Sequence, residues 1–305
     1  MGRLAFVFPG QGSQYVGMGA DCYSSDALAR EIVDRADTLL GYSLSTTCFS
    51  GPEEELRQTR NTQPAIFLHS MVVARLVSRL KPDMAAGHSL GEYSALVVAG
   101  ALAFEDGLRL VRLRGELMHQ AGEQQKGTMA AVVGLAPTDV EQLCAEASAA
   151  GIVQPANFNS PGQIVISGSV TGVHRAMELA KHRGAKLVKE LVVSGAFHSP
   201  LMASAQEGLR NALQRVEIHE ATIPVYANVT AEPVTEASEI RELLCQQLTR
   251  PVLWEQSLRN MHRDRATTFV ELGPRRVLQG LVKRTISSVE VRGADTYHDV
   301  QQLMS

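Results

Sequence analysis

Apolar positions along the chain change their spacing several times, and each change marks an element. Leu4 to Phe8 is an unbroken apolar run of strand length, followed from Pro9 to Gly19 by a loop too rich in glycine for regular structure. Between Asp26 and Leu40, the residues Leu28, Ile32, Ala36 and Leu39 recur at helical spacing. Ile66, Leu68, Val72, Val73, Leu76 and Leu80 repeat that pattern, and both segments are expected to be surface helices packed on a sheet. Met84 to Gly87 is a short apolar strand leading directly into His88-Ser-Leu-Gly91, after which Glu92 to Ala99 reads as a helix. Phe104 to Gly122 is a further helix. Arg109, Arg112 and Arg114 interrupt its apolar face, so at least one arginine is expected to point inward.

From Gly127 to Val193 the pattern becomes a compact alternation. It reads as strand 129–133, helix 137–149, strand 153–157, strand 164–167, helix 170–182 and strand 186–193. This βαββαβ order is that of a split-βαβ, ferredoxin-like unit. The expected organisation is a small domain over 127–194, inserted into a larger α/β domain made of 1–126 and 195–305. The second half of the large domain contributes strands at 224–227 and 268–272 and helices at 239–248 and 253–262.

Composition narrows the chemistry. The chain has 305 residues, a formal net charge of -3 and 20% charged residues, so no global charge points to nucleic acid or an anionic membrane. The aromatic strand motif of RNA-binding sheets is also missing from the ferredoxin-like unit. Cys22, Cys48, Cys144 and Cys245 lie far apart, with no Cys-x-x-Cys pair and no Cys/His cluster, so reduced thiols and no bound metal are expected. The first apolar run is too short for a signal peptide, and Ala95 to Phe104 is too short to cross a bilayer. A cytoplasmic protein is expected.

Gly87-His-Ser-Leu-Gly91 matches Gly-x-Ser-x-Gly, the turn that lifts a serine hydroxyl out of a sheet, and here it lies between a strand and a helix. Ser89 is therefore the candidate nucleophile. Its proton needs an acceptor, and histidine is the usual one near neutral pH. His69, His119, His174, His182 and His262 fall in expected helices, whereas His198 sits in the loop Ser194-Gly-Ala-Phe-His-Ser-Pro200, with space for a ligand. Spacing alone leaves open whether His198 is the base or an ordinary loop histidine. The first glycine loop has Tyr15 where a dinucleotide fingerprint needs glycine. Backbone N–H groups near Gln11, with that of Leu90, would instead suit an oxyanion.

Six motifs together resemble a known family. They are Phe8-Pro-Gly-Gln-Gly-Ser-Gln14, Gly87-His-Ser-Leu-Gly-Glu-Tyr93, Arg112-Leu-Arg-Gly115, Asn157-Phe-Asn-Ser-Pro-Gly-Gln163, Gly195-Ala-Phe-His198 and Gln247-Leu-Thr-Arg-Pro-Val252. In order and spacing they resemble the malonyl-CoA:acyl carrier protein transacylase family over nearly the whole chain. The resemblance implies a hydrolase-like parallel-sheet domain carrying an inserted ferredoxin-like domain, and no cofactor. It implies that Ser89 is acylated, that His198 is its base, and that Gln11 and Leu90 supply backbone donors to the oxyanion. Arg114 would pair with the malonyl carboxylate and Gln247 would orient His198 through its carbonyl. Asn159 would lie near the site, and Phe197 would be the bulky residue associated with malonyl over methylmalonyl.

The implied partners are malonyl-CoA and an acyl carrier protein with its phosphopantetheine arm. Lys181, Arg183, Lys186 and Lys189, with Arg275, Arg276, Lys283 and Arg284, are candidate docking charges for an acidic carrier, against the plainer reading of solvated faces. Two other functions compete: a hydrolase using the same serine and histidine, and a non-catalytic docking module. Arg114 and the lack of a convincing acid between Ser89 and His198 count against the first, and the full set of catalytic residue types counts against the second.

Overall fold

A computed structural model describes residues 2–305. Ten strands are present among them: β1 (Arg3–Phe8), β2 (Met84–Gly87), β3 (Gly127–Val133), β4 (Val153–Ser160), β5 (Gln163–Ser169), β6 (Leu187–Glu190), β7 (Val225–Tyr226), β8 (Pro233–Val234), β9 (Ala266–Leu272) and β10 (Glu290–Ala294). They form a six-stranded sheet in the order β10-β9-β1-β2-β7-β8 and a separate four-stranded sheet in the order β4-β5-β3-β6. The large sheet is parallel apart from β8, and the small one is antiparallel throughout. The protein is thus an α/β structure with a largely parallel central sheet and a second, antiparallel one.

The apolar run at the start becomes the middle of the large sheet for a simple reason. Successive side chains of a strand point to opposite faces, and here both faces are covered: Ala5 and Val7 enter one core cluster, Phe6 and Phe8 the other. The register pairs Phe8 with Gly87, so the loops leaving β1 and β2 emerge side by side at the carboxyl end of the sheet. That end is where open parallel sheets present their ligand sites.

One expected surface helix is corrected. The segment expected between Ala65 and Leu80 runs from Thr59 to Leu76 and is buried without a break from Thr62 to Val73. It packs against the helix Phe104–Gln124 on one side and the helix Ala27–Leu40 on another. Its polar residues find partners inside: Thr62 Oγ1 donates to Leu56 O at 2.5 Å, and Gln63 Nε2 donates to Gln11 Oε1 at 3.2 Å. Pro64 has no N–H to give, and the carbonyl one turn earlier, Arg60 O, accepts instead from Arg112 Nη1 at 3.0 Å. The helix Ala27–Leu40 does lie at the surface, with Asp26 capping it by accepting from Leu28 N and Ala29 N.

In the small sheet, Ala130, Val132, Ile164 and Ile166 face the helices Pro137–Ala147 and Val170–His182. The alternate residues Met129, Ala131 and Val165 line a cavity on the opposite face. The sheet is tied above the large one through β4: Phe158 N donates to Val252 O at 2.9 Å and Val252 N to Ala156 O at 2.8 Å. Among the described residues no helix is long and apolar enough to cross a membrane.

Candidate active site

The turn after β2 is shaped by what glycine lacks. A Cβ on Gly87 would run into the backbone of Gly91, and one on Gly91 would meet the carbonyls of Phe8 and Pro9. With both absent, Ser89 takes a left-handed backbone (φ 51°), a conformation that costs an L-residue roughly 1–2 kcal/mol. Asn228 holds the turn: its Oδ1 accepts from Ser89 N at 2.7 Å while its Nδ2 donates to Gly87 O at 2.7 Å.

His198 also sits at positive φ, 57°, and its Nε2 is 2.9 Å from Ser89 Oγ. Nδ1 faces the carbonyl of Gln247 at 2.8 Å. A carbonyl can only accept, so Nδ1 carries the proton and Nε2 is free to take one from the serine. Burial, assisted by the nearby positive charge of Arg114, lowers the pKa of His198 to about 3. The imidazole is therefore neutral at pH 7. From behind, Gln154 Nε2 donates to His198 O at 2.9 Å.

Arg114 is the inward-facing arginine, fully buried on the helix Phe104–Gln124. Nη2 donates to Ser89 Oγ at 3.1 Å and to Gln247 Oε1 at 2.9 Å, and Nη1 donates to Gln63 Oε1. Its Nε is buried without a partner, and its guanidinium carbon lies 5.7 Å from the Tyr93 ring centroid. Burial lowers the pKa of Arg114, against the pull of Tyr93 and Glu92, yet an arginine stays protonated. A buried cation with an orphaned donor beside a nucleophile suits an anionic group on the ligand.

The structure brings Gln247 closer to the centre than one backbone contact would. Its side-chain Nε2 donates to Ser89 O at 3.0 Å and to Glu92 Oε2 at 2.8 Å, so the residue touches serine, histidine and arginine at once. The loops that carry Gln11 and Leu90 leave neighbouring strands and run close together, since a Cβ on Gly10 would collide with His88 O. Asn159 lies across the cavity rather than at Ser89, its Oδ1 2.8 Å from His88 Nε2. Phe197 lines the same cavity, whose volume is about 300 Å³. A larger hollow of about 1010 Å³ lies behind the histidine loop, between Pro137, Phe158, Pro200 and Thr249, and holds none of these groups.

Three site residues were not anticipated from the sequence: Gln63, Glu92 and Asn228. Glu92 had a signal, being an acidic residue inside the serine motif on the first turn of an otherwise apolar helix. Asn228, just beyond the end of β7, and Gln63, on a helix misplaced to the surface, had none. Of the candidate docking charges, all are exposed. Arg183 and Arg276 are paired with Glu146 and Asp299. Arg284 Nη1 donates at 2.8 Å to Gln163 Oε1, a residue of the cavity wall. The four cysteines are free and buried, and no cluster of three or more metal-ligating side chains occurs among the described residues.

A serine on a strained strand-turn-helix elbow, facing a neutral histidine and a buried arginine, is the arrangement of an α/β enzyme that handles acyl groups. Comparison with known proteins points the same way. Residues 5–302 match the family model described as acyl transferase domain. The malonyl CoA-acyl carrier protein transacylase of Bacillus subtilis is 45% identical over 302 residues, covering 97% of this chain and 95% of that protein. An acyl carrier protein S-malonyltransferase from Vibrio cholerae, solved by crystallography, is 39% identical with a TM-score of 0.95 over 99% of both chains. The structure of a type II PKS acyl-carrier protein in complex with its malonyl-transacylase matches at 38% identity and a TM-score of 0.95, over 98% of both chains. This chain belongs to the malonyl-CoA:acyl carrier protein transacylase family and is an acyltransferase.

Proposed function

We propose that the protein moves a malonyl group from coenzyme A to the phosphopantetheine thiol of an acyl carrier protein, through a malonyl ester on Ser89. The observation that carries this reading is the position of Ser89 Oγ, 2.9 Å from a bare imidazole nitrogen and 3.1 Å from the buried guanidinium of Arg114. Both half-reactions need the first contact, and a carboxylate-bearing acyl group needs the second.

In the first half-reaction, Ser89 Oγ bonds to the thioester carbonyl carbon as its proton passes to His198 Nε2. The carbonyl oxygen becomes an oxyanion and accepts from the backbone N–H groups of Gln11 and Leu90. The carbon–sulfur bond then breaks, and the departing sulfur takes the proton from His198 to leave as a free thiol. In the second half-reaction, the carrier thiol gives its proton to His198 and its sulfur attacks the ester carbon. Ser89 oxygen leaves and recovers the proton. A thioester is consumed and a thioester is formed, so no energy source is needed.

Arg114 binds the malonyl carboxylate in a two-pronged grip, exchanging its contact with Ser89 Oγ for the substrate and giving Nε a partner. The arriving negative charge offsets the positive charge that helps hold His198 down, so the imidazole becomes a stronger base once malonyl is bound. Phe197 and Asn159 wall the acyl pocket. Phe197 would disfavour a branched acyl group by about 1–3 kcal/mol, the usual worth of a methyl in an apolar pocket.

The same reading extends to architecture. Residues 127–194 form an inserted ferredoxin-like domain, supported by the element order and the spatial order β4-β5-β3-β6. Residues 1–126 and 195–305 form a hydrolase-like catalytic domain, and the site lies in the cleft between the two. An acyl carrier protein as partner is supported by the related transacylase solved with its own, and the exposed Arg284 beside Gln163 of the cavity wall is the docking charge nearest the mouth. Its product supplies malonyl units for fatty acid or polyketide chains in the cytoplasm. Mixing the protein with malonyl-CoA alone should release one equivalent of coenzyme A and stop, with turnover resuming on addition of a phosphopantetheinylated carrier. Continuous release without a carrier would make the protein a hydrolase instead.

A further inference from the structure

Glu92 is 3% exposed and makes no hydrogen bond to the side chain of Ser89 or His198. One of its oxygens, Oε2, accepts from Asn228 N at 3.0 Å and from Gln247 Nε2 at 2.8 Å. Burial raises the Glu92 pKa to about 7, but the Asn228 N–H can only donate, so Oε2 is an acceptor in either protonation state and turns the Gln247 amide nitrogen toward itself. With Nε2 turned to Glu92 and Ser89 O, Oε1 is left facing Arg114 Nη2 at 2.9 Å. The reverse orientation would set an NH₂ group against the guanidinium, donor against donor. The backbone of the same Gln247 holds His198 Nδ1 at 2.8 Å. Of the other acceptors near that amide, Ser89 O lies at 3.0 Å and Asn228 Oδ1 at 3.4 Å, the latter already taking the Ser89 N–H; the Glu92 contact is the shortest.

We propose that Glu92 is a positioning residue for acyl transfer, fixing Gln247 so that Gln247 in turn sets both the imidazole of His198 and the guanidinium of Arg114. This rests on the roles given above to Ser89, His198 and Arg114. It assigns Glu92 an influence on substrate choice as well as on rate, because one amide serves both the base and the carboxylate grip. A group that only filled space would leave substrate choice alone.

The test is a pair of conservative variants. Glu92→Gln keeps an acceptor oxygen at the same reach and removes the titrating carboxyl; Glu92→Asp keeps the carboxyl and withdraws the oxygen by about 1.5 Å, one carbon–carbon bond. For Glu92→Asp, kcat should fall about 10-fold with malonyl-CoA and acetyl-CoA alike, and the malonyl-to-acetyl ratio of kcat/KM should fall a further 5-fold or so, as misplacements near 1 Å commonly cost. Glu92→Gln should stay within about 3-fold of wild type on both counts. Wild-type behaviour of Glu92→Asp, or equal impairment of the two variants, would overturn the proposal. So would a lower kcat with an unchanged ratio. If the wild-type protein took no malonyl group on Ser89, the underlying reading would fail whatever these variants did; if it did, a normal Glu92→Asp would remove only the role of Glu92.

Discussion

By residue type alone, the region around His69 resembles a serine-enzyme triad more than the region around His198 does. His69 is 4% exposed, its Nε2 lies 3.2 Å from Asp295 Oδ1, and Ser70 follows it in the chain. His198 has no carboxylate behind it, only the carbonyl of Gln247. Three physical differences separate them. Ser70 sits in ordinary helix with its hydroxyl buried and unpartnered, whereas Ser89 is raised on a positive-φ turn beside an open cavity. Asp295 also accepts from Tyr15 Oη at 2.9 Å and from Arg275 N at 2.9 Å, so it braces the glycine loop against the chain's last turns. And His198 has one nitrogen committed to a donor's role and the other aimed at a hydroxyl. Acid, histidine and serine in proximity make a brace; orientation and open space make a site.

The contrast is sharpest at the two histidines. Replacing His198 by Ala should lower kcat/KM for both half-reactions by about 100-fold or more, as loss of a general base does. Stopped-flow measurement of coenzyme A release, and of carrier acylation, separates the two. Removing Arg114 should be more selective. The charged hydrogen bonds to the carboxylate are worth roughly 1.5–3 kcal/mol each, so Arg114→Ala should cut malonyl kcat/KM by about 10-fold to 100-fold and leave acetyl transfer little changed. A constant malonyl-to-acetyl ratio would take Arg114 out of the carboxylate grip.

The pH profile probes the same neutral imidazole. Burial and Arg114 hold His198 at about 3, below the ordinary value near 6.5, so its neutral form persists as pH falls through the slightly acid range. Labelling of Ser89 by a neutral acyl donor should therefore keep its rate from pH 8 to 5.5. A histidine of ordinary pKa would lose about 10-fold over that interval. The sign for stability is the opposite: the unfolded chain takes up this proton first, so stability tied to His198 is full above about pH 6.5 and is lost as pH falls toward about 3. The smallest kinetic effect belongs to the brace. His69→Ala should reduce stability by about 1–3 kcal/mol through the lost contact with Asp295 and the void left by a buried ring, measurable by urea titration, while kcat stays within about 3-fold.

The sequence was most informative where sterics leave few choices. Gly87-x-Ser89-x-Gly91 between a strand and a helix needs two missing Cβ atoms, and that requirement is visible in the residues themselves. The alternating small sheet and its two helices were likewise readable, because each strand has one face against apolar helices and a period of two. Burial of polar residues was not readable. The apolar spacing from Ala65 to Leu80 reads as one stripe of a surface helix, and only the fold shows that the polar Thr62, Gln63, His69 and Ser70 of the helix Thr59–Leu76 are enclosed as well. The helix Ala203–Leu213 carries only a faint stripe, Ala205, Leu209 and Leu213 spaced four apart, and three apolar positions do not mark a helix by themselves. Strand β10, Glu-Val-Arg-Gly-Ala, is an edge strand whose alternation rests on a single large apolar residue, Val291, too little to mark it. The network of Glu92, Asn228 and Gln247 spans more than 150 positions of chain, a distance over which spacing carries no signal.

Every step of the transfer depends on the acyl group resting on Ser89. Brief exposure of the protein to malonyl-CoA, acid quench, proteolysis and peptide mass mapping measure this in one step. One malonyl group is expected on the peptide containing Ser89, lost when a phosphopantetheinylated carrier is added before the quench, with no uptake by Ser89→Ala. A malonyl group found on Ser70 or any other residue, or carrier malonylation by the Ser89→Ala protein, would contradict it.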